Sequence, residues 1–325
     1  MQTHAIRIHE TGGPEVLRWE SVELSEPANG EIRVRQAAIG LNFIDTYHRS
    51  GLYPLPTLPA VLGREGAGII EAVGVGVAAF QVGDRVAYPM HPGAYAEHVT
   101  LPADRVVPLP DEVTCEQAAA MMLKGLTAHY LLRRTFRVEA GQTILFHAAA
   151  GGVGLIACQW AHALGVEVIG TVGSEEKAEL ARNHGCRHII RYDREDFAER
   201  VSEITSGVGV PVVYDSVGVD TFERSLDCLA PLGTLVSFGQ SSGAIPPVDL
   251  GILAAKGSLF VTRPTLATFI ADTISLRRAA AELFEVVAIG DVKVEIRQRY
   301  ALREAETAHR DLEARRTRGS TILTP

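Results

Sequence analysis

The run His147-Ala148-Ala149-Ala150-Gly151-Gly152-Val153-Gly154 constrains this chain more than any other stretch of it. It follows a short apolar segment, 143–147, that reads as a strand. Behind it Val153, Ile156, Ala157, Trp160, Ala161 and Leu164 recur at three- and four-residue spacing, the period of a helix with one buried face. Gly165 then suits a helix C-terminal cap. A glycine-rich turn between strand and helix is the setting in which free backbone N–H groups receive a dinucleotide pyrophosphate. Against the pattern G-x-G-x-x-G the run reads Ala149-x-Gly151-x-x-Gly154, with alanine in the first place. Gly151 and Gly152 let the backbone approach a phosphate, and Gly154 lets helix and strand pack closely.

The alternation continues downstream. Strands are expected over 167–172, 187–192, 210–215, 234–238 and 258–262, with helices over 174–184, 195–204, 221–229 and 248–255 between them. Six strands with crossover helices make a doubly wound parallel α/β sheet of the Rossmann type, with right-handed connections. Upstream, about the first 120 residues read instead as strands and turns. Gly63, Gly66, Gly68, Gly74, Gly76 and Gly83 crowd together there, as in the tight turns of a small barrel or sandwich. After Pro264 a helix over 270–289, a strand near 292–296, a helix over 304–315 and a strand over 321–323 find no place in a sheet already full. They are assigned back to the first domain, which makes it discontinuous. The expected domains are thus 1–124 with 266–325, and 125–265.

The strand after the glycine turn names the cofactor. A site for NAD ends this strand with an acidic residue on the ribose 2′-hydroxyl. Here it ends Thr171-Val172-Gly173-Ser174, with no carboxylate at the tip. With Ser174 as N-cap, Lys177 falls in the first helical turn, where a cation opposes the helix dipole at a cost of about 0.3–1 kcal/mol. A capping box would place Glu there. A bound 2′-phosphate relieves the conflict, and the hydroxyl of Tyr192, at the next strand tip, closes the same pocket. The expected cofactor is NADPH rather than NADH.

Composition narrows the remaining classes. The 31 basic and 39 acidic residues leave a net charge of −8, which argues against a general nucleic-acid binder. No run of about 18 uncharged apolar residues is present, so no membrane span is expected. Cys115, Cys158, Cys186 and Cys228 lie far apart without a CxxC pair, as free thiols in a reducing compartment. The first residues lack the basic start and apolar run of a signal peptide, and the expected location is cytoplasmic.

Several stretches together resemble one family. They are Gly40 to Tyr47, Arg49-Ser50-Gly51-Leu52-Tyr53-Pro54, Lys124-Gly125-Leu126-Thr127-Ala128, Ala148 to Gly154, Tyr214-Asp215-Ser216-Val217-Gly218, Val236 to Gly243 and Val261-Thr262-Arg263-Pro264. This set is similar to the quinone oxidoreductases related to zeta-crystallin, zinc-free members of the medium-chain dehydrogenase/reductase superfamily, and especially to the bacterial ones. The similarity runs over essentially the whole chain. It implies a GroES-like barrel as the catalytic domain, NADPH in the cleft between domains, and a homodimer joined through the last strands of the nucleotide-binding sheets. It also implies that Lys177, Tyr192 and Arg315 hold the 2′-phosphate, with Arg316 and Arg318 of the same basic run as alternatives to Arg315. Around the rest of the cofactor it places Asn42, Thr127, Ala150, Gly151, Gly152, Val153, Gly173, Ser174, Ser216, Val217, Phe238, Gly239, Gln240 and Arg263. Asp215 reads as a strand-end cap.

The superfamily also contains zinc alcohol dehydrogenases, whose catalytic metal needs a Cys, His, Cys set. The resemblance puts Asn42, Arg64 and Lys124 at those places, and no metal is expected. Without a Lewis acid, an unactivated ketone is a poor substrate, whereas a quinone is already electron-accepting. The expected reaction is NADPH-dependent quinone reduction, by hydride or by single electrons. Asn42, Tyr47 and Tyr53 are the candidate substrate pocket, the tyrosines stacking on a flat ring. No general acid is named. The alternatives are an enone or alkenal double-bond reductase on the same fold and, further off, a crystallin-like or AU-rich-RNA-binding protein without turnover.

Overall fold

Burial alternates along Glu31–Gly40, the longest strand of the chain, and this strand organises the first half of the molecule. In the computed structural model, which describes residues 1–325, the chain divides into two units. The first comprises Met1–Leu126, Ile270–Ala288 and Val294–Pro325. Its early strands are β1 (Gln2–Ile8), β2 (Arg18–Glu23), β3 (Glu31–Gly40), β4 (Ala60–Val61), β5 (Glu65–Val73), β6 (Arg85–Pro89), β7 (His98–Pro102) and β8 (Val107–Pro108). Helix α1 (Phe43–Ser50) follows β3, and α2 (Cys115–Tyr130) follows β8.

The second unit, Thr127–Phe269 with Ile289–Lys293, carries β9 (Thr143–Phe146), α3 (Gly152–Ala163), β10 (Glu167–Val172), α4 (Glu175–Arg182), β11 (Cys186–Arg191) and α5 (Phe197–Ile204). Then come β12 (Val210–Asp215), α6 (Phe222–Asp227), β13 (Leu229–Ser237), α7 (Gly251–Ala255), β14 (Phe260–Thr262) and α8 (Leu266–Phe269). The chain ends with α9 (Thr273–Ala288), β15 (Ile296–Ala301), α10 (Ala305–Glu313) and β16 (Ser320–Thr324).

In the second unit the six strands pair in parallel in the order β11-β10-β9-β12-β13-β14. The order reverses between β9 and β12, so the turns after these two strands flank the switch point where open α/β sheets bind ligands. Leu145, Ile169, Ile190, Val213 and Leu235, one from each of five strands, form the core on one face. In the first unit β15-β16-β3-β5-β6-β8 form one sheet, with β7 on β3, and β2-β1-β4 form another. Ile32, Val34, Ile39, Ile70, Val86 and Leu101 fill the space they enclose.

Several expected elements shift. The helix expected over 270–289 is α9 and begins at Thr273, because Asp272 caps it: Asp272 accepts from the Ser275 N–H at 2.8 Å and from the Ser275 hydroxyl at 2.7 Å. The strand expected near 292–296 is β15 instead. Residues 289–293 fall with the second unit, where Gln159 binds Lys293 through both its N–H (3.0 Å) and its carbonyl (3.2 Å). Helix α1 interrupts what reads as a run of strands and turns. No helix is long and apolar enough to cross a membrane, and all four cysteines are free thiols.

Candidate functional site

The glycine turn sits where β9 meets α3. Gly151 is the N-cap, in extended conformation, and no side chain caps the helix. The first-turn N–H groups of α3 therefore lack an intrahelical or side-chain acceptor. The backbone strain lies one step earlier, at Ala148, which has φ of +53°. A Cβ at Gly154 would lie 2.5 Å from the Ala148 carbonyl and 2.6 Å from that of Ala149, so the close packing expected of this glycine is real. Alanine in the first fingerprint place is accommodated across the sheet. A Cβ at Gly170 on β10 would meet the Ala149 methyl at 2.8 Å, so Gly170 supplies the room that Ala149 uses. Under the turn His147 is buried, its ring nitrogens bound to the hydroxyls of Thr171 and Ser225 at 2.9 Å each, and burial pushes its pKa down.

The tip of β10 is as the pattern requires. Ser174 is the N-cap of α4, and its hydroxyl accepts the Lys177 N–H at 3.3 Å. Lys177 is half-buried in the first turn, and Tyr192, 43% exposed, lays its hydroxyl over Gly173, where a Cβ would collide with it. The neighbouring cation Arg191 is committed elsewhere, to Glu175 (2.8 Å) and Asp193 (2.6 Å).

Beyond the switch point, Asp215 is fully buried and accepts from the N–H groups of Val217 (2.7 Å) and Gly218 (3.2 Å) and from the Thr221 hydroxyl (2.7 Å). It is a turn cap, and it fixes Ser216 and Val217. The segment after β13 packs on the same turn: Ser241 N–H reaches the Ser216 carbonyl at 3.1 Å, and a Cβ at Gly239 would lie 2.7 Å from that carbonyl. Arg263, after β14, donates to the carbonyls of Ser237 (3.1 Å) and Gly239 (2.7 Å), and so holds the Phe238-Gly239-Gln240 stretch in place. The Phe238 ring rests 5.8 Å from that of Phe146. Ala150 and Thr127 are buried, and Val153 is half-buried in the first turn of α3.

In the first unit Asn42 is buried, and its amide donates to Glu65 at 2.7 Å and to the Gly40 carbonyl at 3.3 Å. Glu65, wholly buried, also receives the Lys124 ammonium at 3.0 Å and the Leu123 N–H at 2.6 Å. Tyr47 on α1 and Tyr53 just beyond it meet edge to face, centroids 5.2 Å apart, with Tyr47 9% exposed. Arg315, exposed past the end of α10, has φ of +59°.

Sequence reasoning missed a buried polar chain behind α1. The Asp45 carboxylate accepts the Asn42 N–H (2.9 Å) and the Tyr95 hydroxyl (3.0 Å); the same hydroxyl meets His309 Nε2 at 3.0 Å. Arg49 lies 3.0 Å from His309 Nδ1 and is paired with Glu313 at 2.7 Å. Arginine has only donors, so His309 Nδ1 accepts and its Nε2 carries the proton toward Tyr95. Burial lifts Asp45 to about 7, against its hydrogen bonds from Asn42 and Tyr95, and lowers His309 to about 3. A lone lysine in the apolar stretch around Met121, Met122 and Leu126, and a glutamate opening a glycine-rich apolar strand, were the available signals of the Glu65–Lys124 pair.

Residues 28–111 match the alcohol dehydrogenase GroES-like domain, and residues 152–282 the zinc-binding dehydrogenase family. A quinone oxidoreductase of Pseudomonas aeruginosa is 60% identical over 315 residues, 97% of each chain. This chain belongs to the quinone oxidoreductase family. Among solved structures of that family, the Escherichia coli quinone oxidoreductase complexed with NADPH superposes with a TM-score of 0.98 at 53% identity, over 99% of this chain and 100% of the other. A more divergent relative, a 2-haloacrylate reductase from a Burkholderia species, is 45% identical over 98% of each chain. The parallel six-stranded sheet together with a GroES-like domain is the fold class that the sequence implied. No group of three His, Cys, Asp or Glu side chains converges anywhere in the structure.

Proposed function

We propose that this chain catalyses NADPH-dependent reduction of quinones without a metal. The observation that carries the reading is the tip of β10, where Ser174, Lys177 and Tyr192 gather around Gly173 with no carboxylate at the strand end. Those groups fit a 2′-phosphorylated ribose. When bound, NADPH supplies the reducing equivalents, and the protein binds, orients and excludes water.

The remaining roles follow from the placements above. Lys177 offers charge to the 2′-phosphate, Ser174 keeps α4 starting at that point, and the Tyr192 hydroxyl completes the pocket. Gly152 and Val153 present N–H groups to the pyrophosphate; Gly151, whose own N–H is held by the Ala148 carbonyl, lets the backbone come close to it, and Ala150 shapes the turn. Ser216, Val217, Phe238, Gly239 and Gln240 line the groove beyond the switch point, and Arg263 positions the last three. Tyr47 and Tyr53 hold the flat quinone, and Asn42 is fixed beside them by Glu65. The roles of Arg315, Thr127 and Asn42 toward the cofactor rest on the family resemblance alone.

By the resemblance, Asn42, Arg64 and Lys124 stand where zinc-containing relatives place metal ligands, and the two cations among them repel a metal ion. Edge strand β14 exposes Phe260 (59%) and Val261 (40%), which supports a homodimer joined along this edge. Free thiols throughout support a cytoplasmic location.

An acceptor panel tests the reading. NADPH oxidation is expected with 1,4-benzoquinone and 9,10-phenanthrenequinone and to be far slower with 2-alkenals. Faster turnover of the alkenals would replace quinone reduction with double-bond reduction.

A further inference from the structure

His147 follows β9 and immediately precedes Ala148, whose φ of +53° lies in the left-handed region. An alanine disfavours that region by about tenfold in population, and keeps it only where its surroundings hold it there. The glycine turn depends on this one residue. The Ala148 carbonyl accepts the Gly151 N–H at 2.9 Å, and Gly151 is the N-cap of α3. Gly154 packs against the same carbonyl, which a Cβ there would meet at 2.5 Å.

The groups that hold this conformation converge on His147. Its backbone N–H donates to the Tyr214 carbonyl of β12 at 3.0 Å. Its ring is 1% exposed, with Nδ1 2.9 Å from the Thr171 hydroxyl on β10 and Nε2 2.9 Å from the Ser225 hydroxyl on α6. The ring also meets that of Phe197, the first residue of α5, edge to face at 4.9 Å. Each hydroxyl partner leads to a further turn. The Thr171 carbonyl accepts the Ala149 N–H at 3.1 Å, and the strand of Thr171 runs on to Gly173 and Ser174. The Ser225 N–H donates to the Thr221 carbonyl at 2.8 Å, and the Thr221 hydroxyl donates to Asp215 at 2.7 Å. Burial keeps the ring neutral, so one nitrogen donates while the other accepts.

We propose that His147 is a positioning residue for NADPH: it holds Ala148 left-handed, and so keeps the glycine turn in the shape that receives the pyrophosphate. The inference deepens the cofactor reading of this turn and rests on it.

The test compares the wild type, His147→Phe, Ala148→Gly and the double variant. NADPH affinity is read by fluorescence titration, and kinetics with 1,4-benzoquinone as acceptor. Phenylalanine keeps the ring volume and removes both side-chain hydrogen bonds. With the left-handed turn then populated about tenfold less, the apparent Kd for NADPH should rise by about tenfold. The loss should fall on Kd and on KM for NADPH rather than on kcat at saturation or on KM for the quinone. Glycine adopts positive φ without strain, so adding Ala148→Gly to His147→Phe should recover most of the affinity. Lost core packing would not be repaired by removing a methyl group. His147→Gln, which keeps a donor and an acceptor, should lie between the wild type and His147→Phe.

Hydrogen exchange at the Gly151 amide of the cofactor-free protein supplies a second readout. It should quicken by about tenfold in His147→Phe and slow again in the double variant. If His147→Phe does not fold, His147→Gln with and without Ala148→Gly carries the same comparison. An unchanged Kd, a loss that Ala148→Gly leaves unrepaired, or a loss confined to kcat would each overturn the assignment. A wild type that binds no NADPH defeats the cofactor reading, and exchange at Gly151 still decides whether His147 holds the turn.

Discussion

Replacing Glu65 with alanine removes the counter-ion of a buried ammonium. Lys124 is 4% exposed and Glu65 not at all, with 3.0 Å between the charged atoms. The same carboxylate accepts the Asn42 amide and the Leu123 N–H, so three donors lose their partner together. Breaking a buried pair by removing one member costs about 3–5 kcal/mol, because the other charge stays buried and unpaired. Against a total of about 5–15 kcal/mol this is a large share of the unit's stability. A chain of two units need not unfold in one transition, so the assay is native-state hydrogen exchange at amides of β3 and β5, which reports this unit alone. The control is Glu65→Gln with Lys124→Met, which removes both charges and keeps one acceptor. It should recover most of the loss. A loss under about 1 kcal/mol in Glu65→Ala, or a double variant as unstable as the single one, would refute the reasoning.

Three further outcomes follow from the geometry. Lys177→Ala should weaken NADPH binding by about ten- to a hundredfold in fluorescence titration and leave NADH unchanged, since only NADPH carries the 2′-phosphate. Tyr47→Phe should lower turnover with several quinones and leave cofactor affinity unchanged; equal turnover would remove Tyr47 from the substrate site. Asp45, lifted by burial from 3.8 to about 7, binds its proton more tightly folded than unfolded. Its contribution is therefore full below about pH 4 and is lost as pH rises through about 7, by at most about 4 kcal/mol. Asp45→Asn should flatten that slope in urea midpoints measured across this range.

The parallel sheet was legible because its core strands are short apolar runs alternating with helices, two of which, α4 and α5, open on the polar caps Ser174 and Asp196. Ser174 and Asp215 act as caps in the structure for the local reasons that their positions imply. Helix α1 was not legible, since its buried face is polar: Asp45, His48 and Arg49 face inward where a pattern reading looks for leucine or valine. The partners of Asp45 and Arg49, namely Tyr95, His309 and Glu313, lie 50 to 264 residues away in sequence, beyond any local signal. Strand β15, Ile-Arg-Gln-Arg-Tyr-Ala, was misplaced because an edge strand with outward arginines carries little of the apolar signature of a core strand. In the candidate site, the glycine turn and the Ser174 cap could be read from spacing. Gly170 making room for Ala149 could not, because that contact runs between neighbouring strands.

The most direct measurement is the initial rate of 1,4-benzoquinone reduction by the purified protein with NADPH and with NADH in parallel. A charged contact to one phosphate predicts kcat/KM for NADPH higher by about tenfold or more. Equal rates with the two cofactors, or no quinone-dependent oxidation of either, would contradict the account.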